Sequence, residues 1–379
     1  MKELHDIVKR MRDASRPLAE PVVATIVNTV GSSYRRPGAK LLLEKDGFLT
    51  GVLSGGCLEA DLIERAKAVR DHGRSDLITY DTSSPLDIVD GLGIGCNGKV
   101  QVLLEPWSAA AESLAFAAAV LDADRRGVIA TIFHVRGFPD VGWGSRILVD
   151  DRSTANLSVA HEGLRSEITH KAQALLASGS TTVESLQLGV ELADVLFEVI
   201  APARSLVIFG AGPGSAAVAR LAKELGWRVT LVDHRDRASF VNDFACADRR
   251  IIGDYAFIRN SLELSDSVAA VVMSHSFAAD LEYLRIVLPS SVRYIGVLGS
   301  RNRALELLKA LSTEEPSASV PLGDRLFNPV GLDIGADGPE EIALAILSEI
   351  RAVWAGRSGG FLRDRKGPIH DRPAADRPR

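Results

Sequence analysis

Three glycine-containing loops in the first half of the chain hold the residues best suited to chemistry. Ser54-Gly55-Gly56-Cys57 runs straight into a helix-forming segment from about Leu58. The free N–H groups and dipole of that helix start lower a thiol pKa and favour a thiolate at Cys57. Cys96 lies between Gly95 and Asn97 in GLGIGCNG (91–98), where glycines let the backbone come close to a ligand. Two thiols so placed suit a soft metal or a sulfur-handling site. Their spacing is not that of a zinc site, because no CxxC or HxxxH occurs. A lone cysteine is more often a small buried hydrophobe, and Cys246 is read that way. Glu59 and Asp61, next to Cys57, either add carboxylates to the site or simply favour the helix start electrostatically. The third loop, GSSYRRPG (31–38), presents Arg35 and Arg36 to a phosphate, or else leaves them solvated.

The second half carries a different device. Gly210-Ala211-Gly212-Pro213-Gly214-Ser215 follows a strand-like run and opens a helix-like one. The first glycine makes a tight turn, and the second lets a pyrophosphate reach N–H groups at the helix start. Ser215 stands at the third glycine position, which predicts slightly looser or shifted helix–strand packing. Asp233 ends the next strand, where an acid can bind ribose hydroxyls. A later strand ends in Ser274-His275-Ser276. With strand order 3-2-1-4-5 this turn lies beside the Gly210 turn, and His275 is a candidate acid, base or phosphate ligand. The competing reading makes His275 a cap of the following helix or a hydrogen-bonding partner of a loop. After the next strand, Gly299 permits close backbone approach, while Arg301 and Arg303 either meet an anion or are solvated. No G-x-S-x-G, Walker A motif or metal-binding helix is present.

The elements that must position these groups follow from periodicity. Leu4, Ile7, Val8 and Met11 mark an amphipathic helix. Runs 22–27, 40–43, 48–53, 100–104, 128–135, 144–160, 181–188 and 195–200 read as strands, with helices from 58, over 111–123 and over 163–177. Ala201-Pro202-Ala203-Arg204 marks a boundary, beyond which strand and helix alternate. The expected fold class is therefore α/β: a mixed α/β domain over 1–201, then a Rossmann-like, doubly wound parallel-sheet domain over 204–355. A polar tail, 356–379, is expected to be partly disordered, with Phe361-Leu362 able to dock on the body. No internal repeat is evident.

Composition narrows the partners. With 379 residues, 46% hydrophobic and 25% charged, the chain has core material for two or three domains. A net charge of −5 argues against nucleic acid and against a basic membrane surface, while leaving room for a small anion in a local pocket. Three cysteines are too few for a disulfide framework, so reduced thiols and a cytoplasmic protein are expected. Residues 1–13 lack the apolar stretch of a signal peptide, and no run reaches the ~18–20 apolar residues of a membrane span.

Taken in order, GSSYRRPGAKLLL (31–43), GVLSGGCLEADL (51–62), GLGIGCNG (91–98), FGAGPGSAAVARLAKELGWRVTLVDHR (209–235), YIGVLGSR (294–301) and NPVGLDIGADGPEEIALAILSEI (328–350) resemble the XdhC/CoxI family. Its members are maturation factors of xanthine dehydrogenase and carbon monoxide dehydrogenase. The resemblance implies an XdhC/CoxI-type N-terminal domain and a protein that binds molybdopterin, the molybdenum cofactor. Such a chaperone protects the cofactor during sulfuration by a cysteine desulfurase. It then hands the cofactor to the molybdenum subunit of the apo-dehydrogenase. The resemblance also implies a homodimer. On this reading Arg35, Arg36, Ser54, Gly55, Gly56, Gly95, Gly210, Gly212, Gly214, Asp233, Gly299 and Arg301 face the cofactor. Cys57 and Cys96 are its molybdenum-side thiolates. One departure is Pro213, where many relatives carry His. The chain has no room for a molybdenum subunit of its own and no iron–sulfur cysteine spacing. The alternatives are an NAD(P)-dependent oxidoreductase using His275, or a nucleotide-sensing component of a xanthine dehydrogenase system.

Overall fold

The computed structural model describes residues 2–13, 15–31, 33–56, 58–81, 98–235, 245–314 and 323–366. The chain divides into two compact units, one covering Met1–Pro202 and one beginning at Ala203. Cys57, Gly95 and Cys96 lie outside the described residues.

The N-terminal unit contains α1 (Lys2–Met11), β1 (Val22–Gly31), β2 (Lys40–Leu43), β3 (Leu49–Gly51), α2 (Glu59–His72), β4 (Asp76–Asp81) and β5 (Gly98–Pro106). It continues with α3 (Trp107–Asp122), β6 (Gly127–Arg136), β7 (Arg146–Asp150), β8 (Thr154–Leu157), α4 (Glu162–Ser178), β9 (Thr182–Leu188) and β10 (Glu191–Ile200). Two five-stranded antiparallel sheets result, ordered β3-β2-β1-β5-β4 and β8-β7-β6-β10-β9. Strand β4, absent from the periodicity reading, forms the edge of the first sheet.

The two sheets have the same topology, and the registers align residue by residue. Thr25 pairs with Lys40 and Leu103; Thr131 pairs with Arg146 and Leu196. One constant spacing relates Thr25 to Thr131, Lys40 to Arg146, Leu62 to Ile168, and the left-handed helix-ending Gly73 to Gly179. The unit is therefore an internal repeat, α-β-β-β-α-β-β twice, and the expectation of none is corrected. VVATIV (22–27) and VIATIF (128–133) are the clearest sequence trace. The repeat is hard to see in the linear chain because residues 82–97 join β4 to β5, whereas only Gly189-Val190 join β9 to β10. Val27, Leu103, Phe133 and Leu196, two equivalent pairs, form a common apolar cluster. Helix α2 covers the first sheet through Leu62, Ala66 and Val69; α4 covers the second through Leu164, Ile168 and Ala172.

The C-terminal unit is a Rossmann domain. Its elements are β11 (Ser205–Phe209), α5 (Pro213–Glu224), β12 (Arg228–Asp233), β13 (Arg249–Ile252), α6 (Tyr255–Ser261) and β14 (Val268–Val272). After these come α7 (Phe277–Val287), β15 (Tyr294–Val297), α8 (Arg301–Glu314), β16 (Leu326–Phe327) and α9 (Pro339–Trp354). All strands are parallel, in the order β13-β12-β11-β14-β15-β16. The near-continuous burial of the central strands β11, β14 and β15 reflects cover on both faces, by α5 and α9 on one and by α6, α7 and α8 on the other. Cys246 packs against the first of these cores, as a small hydrophobe does. In the tail, Gly359 sits against Leu332, whereas Phe361 and Leu362 are exposed rather than docked. Among the described residues, no helix is long and apolar enough to cross a membrane.

Candidate functional site

In the C-terminal unit β11 and β14 are neighbours, so the turns that follow them touch. Gly210 has φ +107°, and a Cβ there would lie 2.5 Å from Ser274 Cα. Only glycine tolerates both the left-handed backbone and that approach. Gly212, by contrast, is extended, with open space where a side chain would go. It precedes α5 without a side-chain cap, and Pro213 occupies the first turn. The N–H groups at this helix start are thus free to meet an anion. Ser215 is fully buried, and its Oγ donates to Gly210 O at 2.6 Å. The third glycine position is therefore filled by a hydroxyl that braces the turn, not by looser packing.

Asp233 is 1% exposed, and the protein itself uses both carboxylate oxygens. Oδ2 accepts from Ala211 N at 2.8 Å; Oδ1 accepts from Arg235 N at 2.9 Å and Nε at 3.3 Å. Burial pushes its pKa upward, but these N–H donors and the Arg235 guanidinium outweigh it and hold the carboxyl below its ordinary value. Beside it, His234 N donates to Tyr283 Oη at 2.9 Å, and the His234 ring stacks on Tyr255. Burial raises the phenol pKa of both tyrosines. This aromatic wall went unnoticed in the sequence, where only His234, directly after the strand-ending acid, hints at it.

His275 is exposed and adopts φ +61°, a left-handed conformation uncommon outside glycine. It does not cap α7. Ser276 does, its Oγ accepting from Ala279 N at 3.4 Å. Ser274 N and Oγ donate to the buried Asp280 Oδ1, whose other oxygen takes Arg303 at 2.7 Å. Arg303 is therefore committed to a carboxylate. Arg301 is exposed, and its side chain has no hydrogen-bond or ion-pair partner among the described residues. Gly299, at φ +126°, lets the chain pass over the Arg303 stem. Asn328 Nδ2 donates to Val297 O and Gly299 O, fixing the exit of β15.

In the N-terminal unit the arginine loop, the 54–56 turn and Gly98 share one end of the first sheet. Gly31 pairs with Gly98, so the arginine loop starts beside the residue that closes GLGIGCNG. Gly51, which leads to the 54–56 turn, packs directly on Lys40 O at the foot of the arginine loop. The 54–56 turn is folded around Glu59. Its Oε1 accepts from Leu53 N at 3.1 Å and Ser54 N at 2.8 Å, and its Oε2 from Gly56 N at 3.1 Å and from the Ser54 hydroxyl. Burial pushes the Glu59 pKa up, yet the hydrogen bonds prevail and hold it below the ordinary value. Glu59 thus occupies N–H groups that an anion would otherwise meet. Asp61 accepts from Arg65 and Tyr80. Arg35 pairs with Glu3 of α1, and Arg36 is exposed. Among the described residues, no group of three or more His, Cys, Asp or Glu could hold a metal ion.

Comparison with known proteins adds to this geometry. The family described as XdhC Rossmann domain matches residues 206–350, and the XdhC and CoxI family matches residues 18–81. A Bacillus subtilis (strain 168) protein named as a probable xanthine dehydrogenase subunit is 32% identical over 333 residues, covering 87% of this chain and 92% of its own. The Escherichia coli (strain K12) molybdenum cofactor insertion chaperone PaoD is 24% identical over 339 residues, covering 88% of this chain and 83% of its own. The crystal structure of a xanthine dehydrogenase from Bacillus halodurans matches with a TM-score of 0.74 at 27% identity, covering 94% of this chain and 97% of that one.

Proposed function

Because the chain belongs to the XdhC/CoxI family, we propose that it is a maturation protein for a xanthine dehydrogenase-type molybdoenzyme. It binds the molybdenum cofactor and delivers it to the client's molybdenum subunit. The observation that carries this reading is the arrangement of loops. The segment bearing Arg35 and Arg36, the 54–56 turn and Gly98, the one described residue of GLGIGCNG, share one end of one sheet.

The donor set suits the group. The cofactor carries a phosphate, a polar pterin and sulfur-bound molybdenum, and when bound it supplies the redox-active metal that the client enzyme needs. In this chain, Arg35 and Arg36 provide cations for a phosphate, with Arg35 oriented by Glu3. Cys57 and Cys96 are the soft ligands toward molybdenum. In the C-terminal unit, the uncapped start of α5, Arg301 and His275 form a second anion-binding edge. Either a xanthine or a carbon monoxide dehydrogenase is the client. Sulfuration by a cysteine desulfurase and a homodimeric state belong to the same proposal.

An NAD(P)-dependent oxidoreductase is less well supported. A dinucleotide ribose needs a carboxylate facing outward, and both Asp233 oxygens are engaged by Ala211 and Arg235.

The test is pterin and molybdenum analysis of the full chain purified from a molybdenum-replete host. The expected result is close to one cofactor per chain, with retention weakened about tenfold in Cys57→Ala or Cys96→Ala. A chain that carries a nicotinamide dinucleotide and no pterin overturns the proposal. A double cysteine variant with undiminished retention removes the thiols from it.

A further inference from the structure

The repeat places two ion pairs across the N-terminal unit in a reciprocal pattern. Lys40 Nζ lies 2.7 Å from Glu198 Oε2, and the equivalent Arg146 pairs closely with Glu105. Glu105 and Glu198 are themselves equivalents, opposite Val23 and Ile129 in the two registers. Each cation therefore binds the acid of the other repeat, not its own. Each also donates to the threonine beside it in its own sheet: Lys40 to Thr25 and Arg146 Nε to Thr131, both at 3.2 Å. All four charged side chains are at least nine-tenths buried. A cavity of about 10 Å³, room for one water, lies between Lys40, Arg146, Glu105 and the two threonines.

Buried ion pairs add little net stability, because desolvation offsets the attraction. What they supply is placement. Each cation stands at the foot of a matching loop, 31–38 or 137–144, and both loops begin and end on glycines with positive φ. The roots of the loops are held identically: Gly38 N donates to Ile26 O and Gly144 N to Ile132 O, both at 2.8 Å. A Cβ on Gly38 would rest 3.7 Å from the Glu198 stem, and one on Gly144 3.3 Å from Glu105 Oε1. The loops themselves have diverged. The first carries Arg35, Arg36 and no acid; the second carries Asp140 and no cation.

We infer that Glu198 is a positioning residue. From the second repeat, through Lys40, it fixes the Arg35-Arg36 loop for a phosphate-bearing pterin. The Glu105–Arg146 pair does the same mechanical work beneath a loop that binds no anion. This inference rests on the cofactor-binding reading above for its ligand, but not for its mechanics.

The test compares Glu198→Gln with Glu105→Gln in the full chain, using hydrogen-exchange mass spectrometry and molybdopterin retention. The positioning role predicts that Glu198→Gln speeds exchange in residues 31–39 about tenfold and lowers retention by a similar factor. Glu105→Gln should loosen residues 137–145 instead and leave retention within about twofold. Equal loss of retention in both variants would mean general destabilisation and overturn the inference, as would unchanged exchange at 31–39 in Glu198→Gln. If the native chain holds no pterin, the function proposed above fails, while the exchange arm still decides the positioning role. Should Glu198→Gln not accumulate, the double variant Lys40→Met/Glu198→Leu removes both buried charges and is read by the same exchange.

Discussion

The glycine turns at 54–56 and at 210–215 treat their backbone N–H groups in opposite ways. In the first, Glu59 collects Leu53 N, Ser54 N and Gly56 N, and the Ser54 hydroxyl accepts from Leu58 N at the start of α2. In the second, Asp233 takes Ala211 N alone among the turn's own N–H groups, and α5 starts without a side-chain cap. Glycine content alone does not make an anion site. The deciding factor is whether the chain supplies its own carboxylate to the same donors, since one set of N–H groups cannot serve two acceptors.

The largest effect that tests this contrast is expected from Gly210→Ala. The methyl group would overlap the Ser274 backbone at 2.5 Å in a left-handed conformation. A loss of about 4 kcal/mol or more is expected in a denaturant melt of the C-terminal unit. A loss under about 1 kcal/mol would contradict the contact between the two turns.

An intermediate effect is expected from Glu59→Gln, about 1–3 kcal/mol, because a charged acceptor for four donors becomes neutral and half its acceptor capacity is replaced by donors. The same side chain sets an acid sensitivity. Its folded pKa lies below the ordinary 4.5, so its contribution is complete above that value and is lost as the pH falls through the lower folded pKa. A melting-temperature profile of Glu59→Gln should therefore fall less steeply below about pH 4.5 than that of the native chain. Parallel profiles would show that Glu59 does not hold the turn as a carboxylate.

The smallest effect on stability belongs to Gly212→Ala, within about 0.5 kcal/mol, since nothing lies within 4 Å of the added methyl and the backbone is extended. This substitution should nonetheless reduce the melting shift that a phosphate-bearing ligand produces, because the methyl projects into the open space over the turn. An unchanged shift would place the anion elsewhere.

Much of the C-terminal unit was legible in the sequence. Leu206–Phe209, the glycine turn and the helix from Pro213 follow one another with the correct periods, and the parallel order brings Ser274-His275 beside Gly210 as expected for that strand order. Less of the site was legible. Glu59 read as a helix-start acid, yet it organises a whole turn. Asp233 read as a strand-end acid able to bind ribose hydroxyls, and in the fold it clasps Ala211 and Arg235. Arg303 read as either an anion contact or a solvated residue, yet it belongs to Asp280. The repeat is hidden because strands of four to ten residues leave only traces such as VVATIV and VIATIF.

By itself, the sequence determined where the glycine turns fall, to which family the chain is similar, and most of the helices and strands, though not β4. These are properties of local periodicity and short motifs, within reach of a few neighbouring residues. Only the tertiary structure decided which loops share a sheet end, which carboxylates are already occupied, and that Lys40 meets Glu198 while Arg146 meets Glu105. Those outcomes join residues far apart in the chain. They depend on strand register and on the packing of one sheet against another, and no local pattern encodes either.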